Sequence, residues 1–356
     1  MTEISTARLE TTAAVRAVLD EPDHLSLAVQ PIIDAAHLSV AGYEVLTRLP
    51  PAWEVGPDDF FAVAESLGCS VELSVLLLSK LETLRTRCPP NCFLTVNLSP
   101  SDLADARVQA QFTRSWSGLI LELTEAAWPK DEDAVLAGVE AARHAGAMIA
   151  SDDAGAGYAG LLQLVRVRPD LIKVDRGLVR RLGSDPAAET VLRLLGELAS
   201  ELDAWLLAEG IETETELGVV MRLGVPLLQG WIFGKAQPPW PSPPDLSRLR
   251  QLRLRCTFTE TVAAFLRDAR PAEVRCDHSG RPLAVDVAGT WVPAMTMAAS
   301  TTVSSAVGRA LHRSDRQHRL APLAVTDRRG NLIGLVDVEP LVLALDHRRG
   351  GAVAAR

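Results

Sequence analysis

Along residues 1–240 one pattern of hydrophobic and polar positions recurs. A short β-branched or leucine-rich run ends in one or two polar residues, and a stretch with helical spacing follows. The runs read "LSLAVQPII", "SVAGYEVLTRL", "CFLTVNLSP", "LILELTEAA", "AMIASDDAG", "LIKVDRGLV", "AWLLAEGIE" and "PLLQGWIFG". Between most of them the apolar residues fall three and four apart, as in "DEDAVLAGVEAARH" at 131–144 and "PAAETVLRLLGELASEL" at 186–202, which predicts amphipathic helices. Residues 212–223 carry Glu and Thr early and Arg late, the order a helix dipole favours. Alternating strands and helices over this length predict an α/β fold, a TIM-like (β/α)8 barrel. The first two runs lie too close together for a helix between them. They predict a hairpin, and so a modified barrel with an antiparallel first strand.

In such a barrel the residues at the C-terminal strand ends share one mouth, where chemistry takes place. Here those ends carry Glu44, Asn97, Glu122 with Glu125, Asp152 with Asp153, Lys173, Glu209 with Glu212, and Gln229. Any one of them alone would read as a cap or a surface residue. Together they put seven carboxylates, two amides and one ammonium at one opening, a concentration of negative charge that needs neutralising. Oxygen donors without His or Cys are hard ligands, which select Mg2+ or Mn2+ over zinc. Asp152 and Asp153 are adjacent, and in a continuing strand they would point to opposite faces. The glycines of "GAGYAG" after them predict a sharp turn that brings both to the mouth. A phosphate-binding P-loop is disfavoured, since no Gly-Lys-Ser/Thr follows.

The same positions carry a family resemblance. "EVLTR" at 44–48, "NLS" at 97–99, "ELTE" at 122–125, "DDAGAGY" at 152–158, "KVDR" at 173–176, "AEGIETETEL" at 208–217 and "QGWIFGKAQP" at 229–238 occur in order. This series resembles the EAL-domain phosphodiesterases, which hydrolyse cyclic di-GMP, over roughly residues 25–240. The resemblance implies that Glu44, Asn97, Glu122, Asp152 and Asp153 hold two divalent ions, Mg2+ or Mn2+. It implies that Lys173 positions or helps deprotonate the attacking water, with Glu209 and Gln229 orienting water and ligands. Glu125 would anchor the loop after Asp153, which in the family couples dimerisation to activity. Arg48 would grip a substrate phosphate, and Gln30 and Glu212 would contact the nucleotide. Val29, Val45 and Ala154 depart from the family pattern, and none is a ligand position. The expectation is metal-dependent hydrolysis of cyclic di-GMP to linear pGpG by a homodimeric enzyme regulated by its C-terminal domain, the alternative being an idle cyclic di-GMP receptor that signals through that domain.

Charge divides the chain. Residues 1–245 carry a net −16, whereas 246–356 carry 17 Arg, no Lys and a net +7, within an overall −9. The break falls at "QPPWPSPPDLS", a proline-rich linker. The expected organisation is an N-terminal segment 1–24, a barrel 25–240, a linker 241–250 and a small α+β regulatory domain 251–350. In the last of these, "LAPLAVTDRRGNLIGLVDVEPLVLAL" at 320–345 reads strand, turn, strand, helix. It resembles the second half of a CBS module, with "STTVSSAVGRALHRS" as the preceding helix. Residues 259–287 look like a shorter first copy. Such a pair implies a nucleotide ligand, with a PAS-like sensor or a dimerisation domain as alternatives. Few aromatics lie in this basic region, so stacking on DNA is not expected. No apolar stretch reaches the ~20 residues of a membrane span, and the polar N-terminus reads as cytoplasmic. Five cysteines at irregular spacing suggest no disulfide framework. Only four lysines occur, among them Lys173 and Lys235.

Overall fold

The computed structural model describes the whole chain except residues 1, 114, 125–127, 130–131, 155–157, 248, 250–260, 300, 314–317, 328–329 and 354–356. Eight strands close into a barrel in sequence order: β1 Ser26–Asp34, β2 Ser39–Arg48, β3 Phe93–Asn97, β4 Leu119–Thr124, β5 Met148–Ala154, β6 Leu171–Val174, β7 Trp205–Ala208 and β8 Leu227–Leu228. Strand β1 runs antiparallel to both of its neighbours, β2 and β8, and every other pairing is parallel. The short β1–β2 connection accounts for this, because a parallel pair needs a crossover of a dozen or more residues.

Helices α1 Thr2–Asp20, α2 Pro57–Ser66, α3 Ser70–Arg85, α4 Pro100–Leu103, α5 Ala106–Gln109, α6 Glu132–His144, α7 Tyr158–Val167, α8 Arg176–Val179, α9 Pro186–Glu201 and α10 Glu214–Arg222 accompany the barrel. Each longer one buries an apolar stripe, such as Leu73, Leu77, Leu78 and Leu81 of α3 or Ala188, Leu192, Leu195 and Ala199 of α9. Helix α10 begins with a capping box between Thr213 and Glu216, which satisfies two backbone donors at its start.

Side chains inside the barrel form layers, as strand pleating requires. Ile32, Phe93, Ile120, Ala150, Leu171, Leu207 and Leu227 pack together in the lower interior. Two residues further along each strand, on the same face, stand Thr95, Glu122, Asp152, Lys173, Glu209 and Gln229. The apolar floor therefore carries a polar layer directly above it.

Beyond the barrel, β9 Val274–Cys276, β10 Pro282–Val287 and β11 Thr290–Pro293 form an antiparallel sheet. A second sheet pairs β12 Thr296–Ala298 parallel to β13 Leu323–Thr326, and β13 antiparallel to β14 Leu332–Val336. Helix α11 Val303–Leu311 joins β12 to β13, and α12 Val338–Val353 follows β14. This region meets the barrel on the side away from the mouth. Arg309 lies 3.8 Å from Asp203, and Ser305 donates to Glu201 at 3.4 Å. Gly224 has φ +72°, and a β-carbon there would collide with Thr261, so glycine serves both the turn and the contact.

Candidate functional site

The polar layer is organised around one cation. The Lys173 ammonium, on β6 and 1% exposed, lies 2.5 Å from Glu122, 2.7 Å from Glu209, 3.1 Å from Asp152 and 3.6 Å from Glu44. Gln229 donates to Glu44 Oε2 at 2.6 Å and approaches Gln30 at 3.3 Å. Asn97 reaches Glu44 Oε1 at 3.4 Å. The pairing register explains the convergence: Gln30 faces Glu44 across β1–β2, and Asn97 faces Glu122 across β3–β4.

Burial sets the proton affinities. Glu122 is fully buried, and loss of hydration pushes its carboxyl up to about 8. The Lys173 charge opposes that rise, while Glu44 and Asp152 add to it. Glu209 is likewise raised well above the carboxylate range by burial, then by Asp152, Glu44 and Glu122. Burial alone would lower Lys173, yet the surrounding carboxylates hold it well above its ordinary value. The site is therefore a permanent ammonium among carboxyls that retain protons until more positive charge arrives.

The residues fit divalent cations by their chemistry. Glu122 Oε1 is buried without a hydrogen-bond partner among the described residues, an arrangement that costs stability unless a ligand satisfies it. All the donors are oxygens, and the carboxyls outnumber the one ammonium. Among the described residues no three acidic, His or Cys side chains already form a metal cage; the carboxyls close on Lys173 instead.

Glu122 gives a pH prediction. Its folded pKa lies above its ordinary 4.5, so the native state keeps a proton that the unfolded chain releases. The stability this contributes is present at low pH and is lost as pH rises from about 4.5 through about 8. Glu209 acts in the same direction, and Lys173 stays charged throughout. The melting temperature of the metal-free protein should fall between pH 5.5 and 8.5, and Glu122→Gln should flatten that fall. Saturating Mn2+ should reverse it, because metal binding displaces the proton. An identical pH profile for Glu122→Gln would contradict this account.

Asp152 reaches the mouth by a different route from the one expected. The strand does not end before them: β5 continues through Ala154. Its register against β6 jumps between Ser151 and Ala154, three residues advancing opposite two. A bulge of this kind breaks strict alternation and re-aims side chains. Asp152 lands beside Lys173. The Asp153 side chain and all of Glu125 lie outside the described residues, as do Gly155, Ala156 and Gly157.

The remaining expected residues occupy the rim. Arg48 ends β2 and donates to the Thr47 carbonyl at 2.8 Å, away from the ammonium. Glu212 receives Arg176 at 2.7 Å and Arg180 at 3.3 Å. It lines a cleft of about 160 Å3 together with Gln30, Glu44, Glu209 and Gln229. Arg176 and Trp231 line the same cleft and were not singled out from sequence. The available signals were an aromatic two positions beyond Gln229 and one of the chain's few lysines, Lys235.

Gly230 sets this end of β8. A β-carbon there would collide with the Ile211 carbonyl, and that backbone holds Gln229 and Ile232 through hydrogen bonds. Gly230→Ala should destabilise the protein by about 1–3 kcal/mol, the usual cost of forcing an atom into a packed site. An unchanged thermal melt would refute this.

Fold and mouth together define a (β/α)8-type barrel whose one irregular strand and acidic, ammonium-centred opening are built from eight strand ends. The EAL domain family matches residues 13–236, well over half of the chain, and the chain belongs to that family. It is 30% identical over 226 residues to the probable cyclic di-GMP phosphodiesterase PdeN of Escherichia coli (strain K12), covering 60% of this chain and 43% of that protein. It is 31% identical over 235 residues to the bifunctional diguanylate cyclase/cyclic di-GMP phosphodiesterase MucR of Pseudomonas aeruginosa, covering 61% of this chain and 34% of that protein. The chain thus spans less than half the length of these relatives. Among solved structures, the MucR phosphodiesterase in complex with c-di-GMP superposes with a TM-score of 0.57 at 29% identity, covering 64% of this chain and 98% of that one. A calcium/cyclic di-GMP complex of BlrP1 from Klebsiella pneumoniae gives 0.53 at 28% identity, covering 60% and 56%. No helix among the described residues is long and apolar enough to cross a membrane.

Proposed function

We propose that the barrel hydrolyses cyclic di-GMP to linear pGpG, with water attacking phosphorus and the 3′ oxygen leaving. The observation that carries this reading is the buried, unpartnered Glu122 oxygen within a carboxyl cluster centred on Lys173. The relatives and structures named above support the substrate. Glu44, Asn97, Glu122, Asp152 and Asp153 would hold two divalent ions. When bound, such ions supply a nucleophile at neutral pH and offset charge building on phosphorus. Lys173 holds Asp152 and Glu209 in place and favours the hydroxide form of a neighbouring water. Gln229, donating to Glu44 and braced against Gln30, fixes the orientation of that carboxylate. Arg48, on β2 four residues beyond Glu44, would meet a substrate phosphate on leaving the Thr47 carbonyl.

The test is chromatography of cyclic di-GMP incubated with the purified chain and Mg2+ or Mn2+. Appearance of pGpG supports the enzyme. Intact nucleotide that binds without turnover would make the chain a receptor instead.

We also propose that the chain works as a homodimer joined through α7. Leu162 and Val165 on that helix are 60% and 58% exposed, and the helix starts directly after the loop that follows Asp153. Solvent contact at two such side chains favours their burial by a partner. Replacing both with Glu should halve the mass seen in sedimentation; an unchanged mass would reject this interface. For residues 251–350, the order β12, α11, β13, β14, α12 supports a CBS-like regulatory unit that takes a nucleotide, attached through the linker 241–250. Among the described residues, 261–287 supply a comparable hairpin only. Asp277 caps its turn through Ser279 and Arg281, much as Asp327 caps the β13–β14 turn through Asn331. Before that hairpin stands a single 3-10 turn, Val262–Phe265, where a full unit would have a helix.

A further inference from the structure

The rim of the mouth holds a cluster that the hydrolytic centre does not use. Trp231 follows β8 with 52% of its surface exposed. The Lys235 ammonium lies 4.4 Å from its ring centre and the Arg176 guanidinium 5.4 Å, both within reach of the ring's negative face. Among the described residues no carboxylate pairs with Lys235.

The cluster is braced from several sides. Gln237 exchanges two backbone hydrogen bonds with Val29, at 2.7 and 3.0 Å. Gln30 donates to the Gly234 carbonyl at 3.0 Å. Gly210 has φ +65°, and any β-carbon there would collide with the Arg176 stem, so that stem lies on bare backbone. Glu212 holds the Arg176 head. An exposed indole with two cations against it, at the edge of an acidic cavity, suits a ligand that joins a flat ring to an anion. A nucleotide has that form.

A cyclic dinucleotide carries two bases and two phosphates, and the centre around Lys173 addresses one phosphodiester. We propose that Trp231, with Lys235 and Arg176 beside it, is the platform that receives a base and the phosphate of the half not being cut. This rests on the cyclic di-GMP reading of the same mouth. The base stacks on the indole, as bases do on aromatic platforms. The cations meet its phosphate, which the acidic interior would otherwise repel.

The experiment compares the full chain with Trp231→Ala, Trp231→Phe and Lys235→Gln on two substrates in Mn2+, cyclic di-GMP and bis(p-nitrophenyl) phosphate. The second is a diester with no base. Trp231→Ala should raise KM for cyclic di-GMP about 10- to 100-fold, with a much smaller change in kcat. Its preference for cyclic di-GMP over the small diester should fall by the same factor. Trp231→Phe should recover most of that loss, and Lys235→Gln should weaken the dependence of KM on salt. Equal losses on both substrates would show a merely structural tryptophan and overturn the platform. So would an unchanged KM. Should the wild-type chain cleave neither diester, the hydrolytic reading fails on its own. The platform is then judged by titration with cyclic di-GMP in EDTA: at least 10-fold weaker binding by Trp231→Ala supports it, and equal binding, or none by the wild type, overturns it.

Discussion

Glu44→Ala is expected to lower cyclic di-GMP hydrolysis by on the order of 10^3-fold while leaving the barrel folded. The residue is 8% exposed, and both of its oxygens are engaged. Oε2 accepts from Gln229, while Oε1 lies near Asn97 and 3.6 Å from Lys173. Its removal takes away a proposed metal ligand and frees Gln229 and Asn97 at once, so the loss should appear in kcat more than in KM. The fold tolerates the change because the site loses one of several mutually repelling carboxyls rather than their shared cation. Melting should therefore shift by only a few degrees. Hydrolysis within 10-fold of wild type would remove Glu44 from the reacting centre.

Lys173→Met should have the largest effect on stability. The ammonium is 1% exposed and touches four carboxyls. Removing one partner of a buried ionic cluster typically costs about 3–5 kcal/mol, because the remaining charge has nothing to neutralise it. In a barrel of this size that corresponds to a drop in melting temperature on the order of 10 °C. Part of the cost should be avoided by protonation, since Glu122 and Glu209 already hold protons more tightly than ordinary carboxyls. The deficit should accordingly be smaller at pH 5.5 than at pH 8.5. Mn2+ should restore more stability to the variant than to the wild type, the ion supplying the missing charge by mass action. A variant that melts like the wild type at pH 8.5 without metal would refute the view that Lys173 neutralises the cluster.

The two variants separate functions that lie side by side. Glu44 belongs to the group that receives charge, and Lys173 supplies it. The first should lose activity and keep stability. The second should lose both, with stability alone recoverable by metal.

Much of this was legible in the sequence. The eight apolar runs, the helical spacing between them and the hairpin at the start all follow from periodicity and loop length, which are local properties. So does the polar layer, because Ile120 and Glu122, Leu171 and Lys173, and Leu207 and Glu209 are two apart and must share a face of a strand. The route of Asp152 was not legible in this way. Glycines after the pair suggested an immediate turn, but the strand continues and a bulge re-aims it. A bulge is defined by the partner strand's register, which no stretch of β5 contains.

The rim lay beyond a local reading for the same reason. Arg176 follows β6, whereas Trp231 and Lys235 follow β8; only barrel closure brings them together. The C-terminal region, recognisable as a separate unit from its arginines and the prolines before it, gave no hint that Thr261 would rest on Gly224.

By itself, then, the sequence determined which elements form, which residues stand at the strand ends, and the oxygen-only character of the donors, because backbone geometry and side-chain chemistry act over a few residues. The tertiary structure decided which carboxyls meet Lys173, how tightly each holds its proton, and which cations flank Trp231. Those outcomes depend on strand register, burial and through-space distance between residues as far apart as Gln30 and Gln229, and these come into being only when the barrel closes.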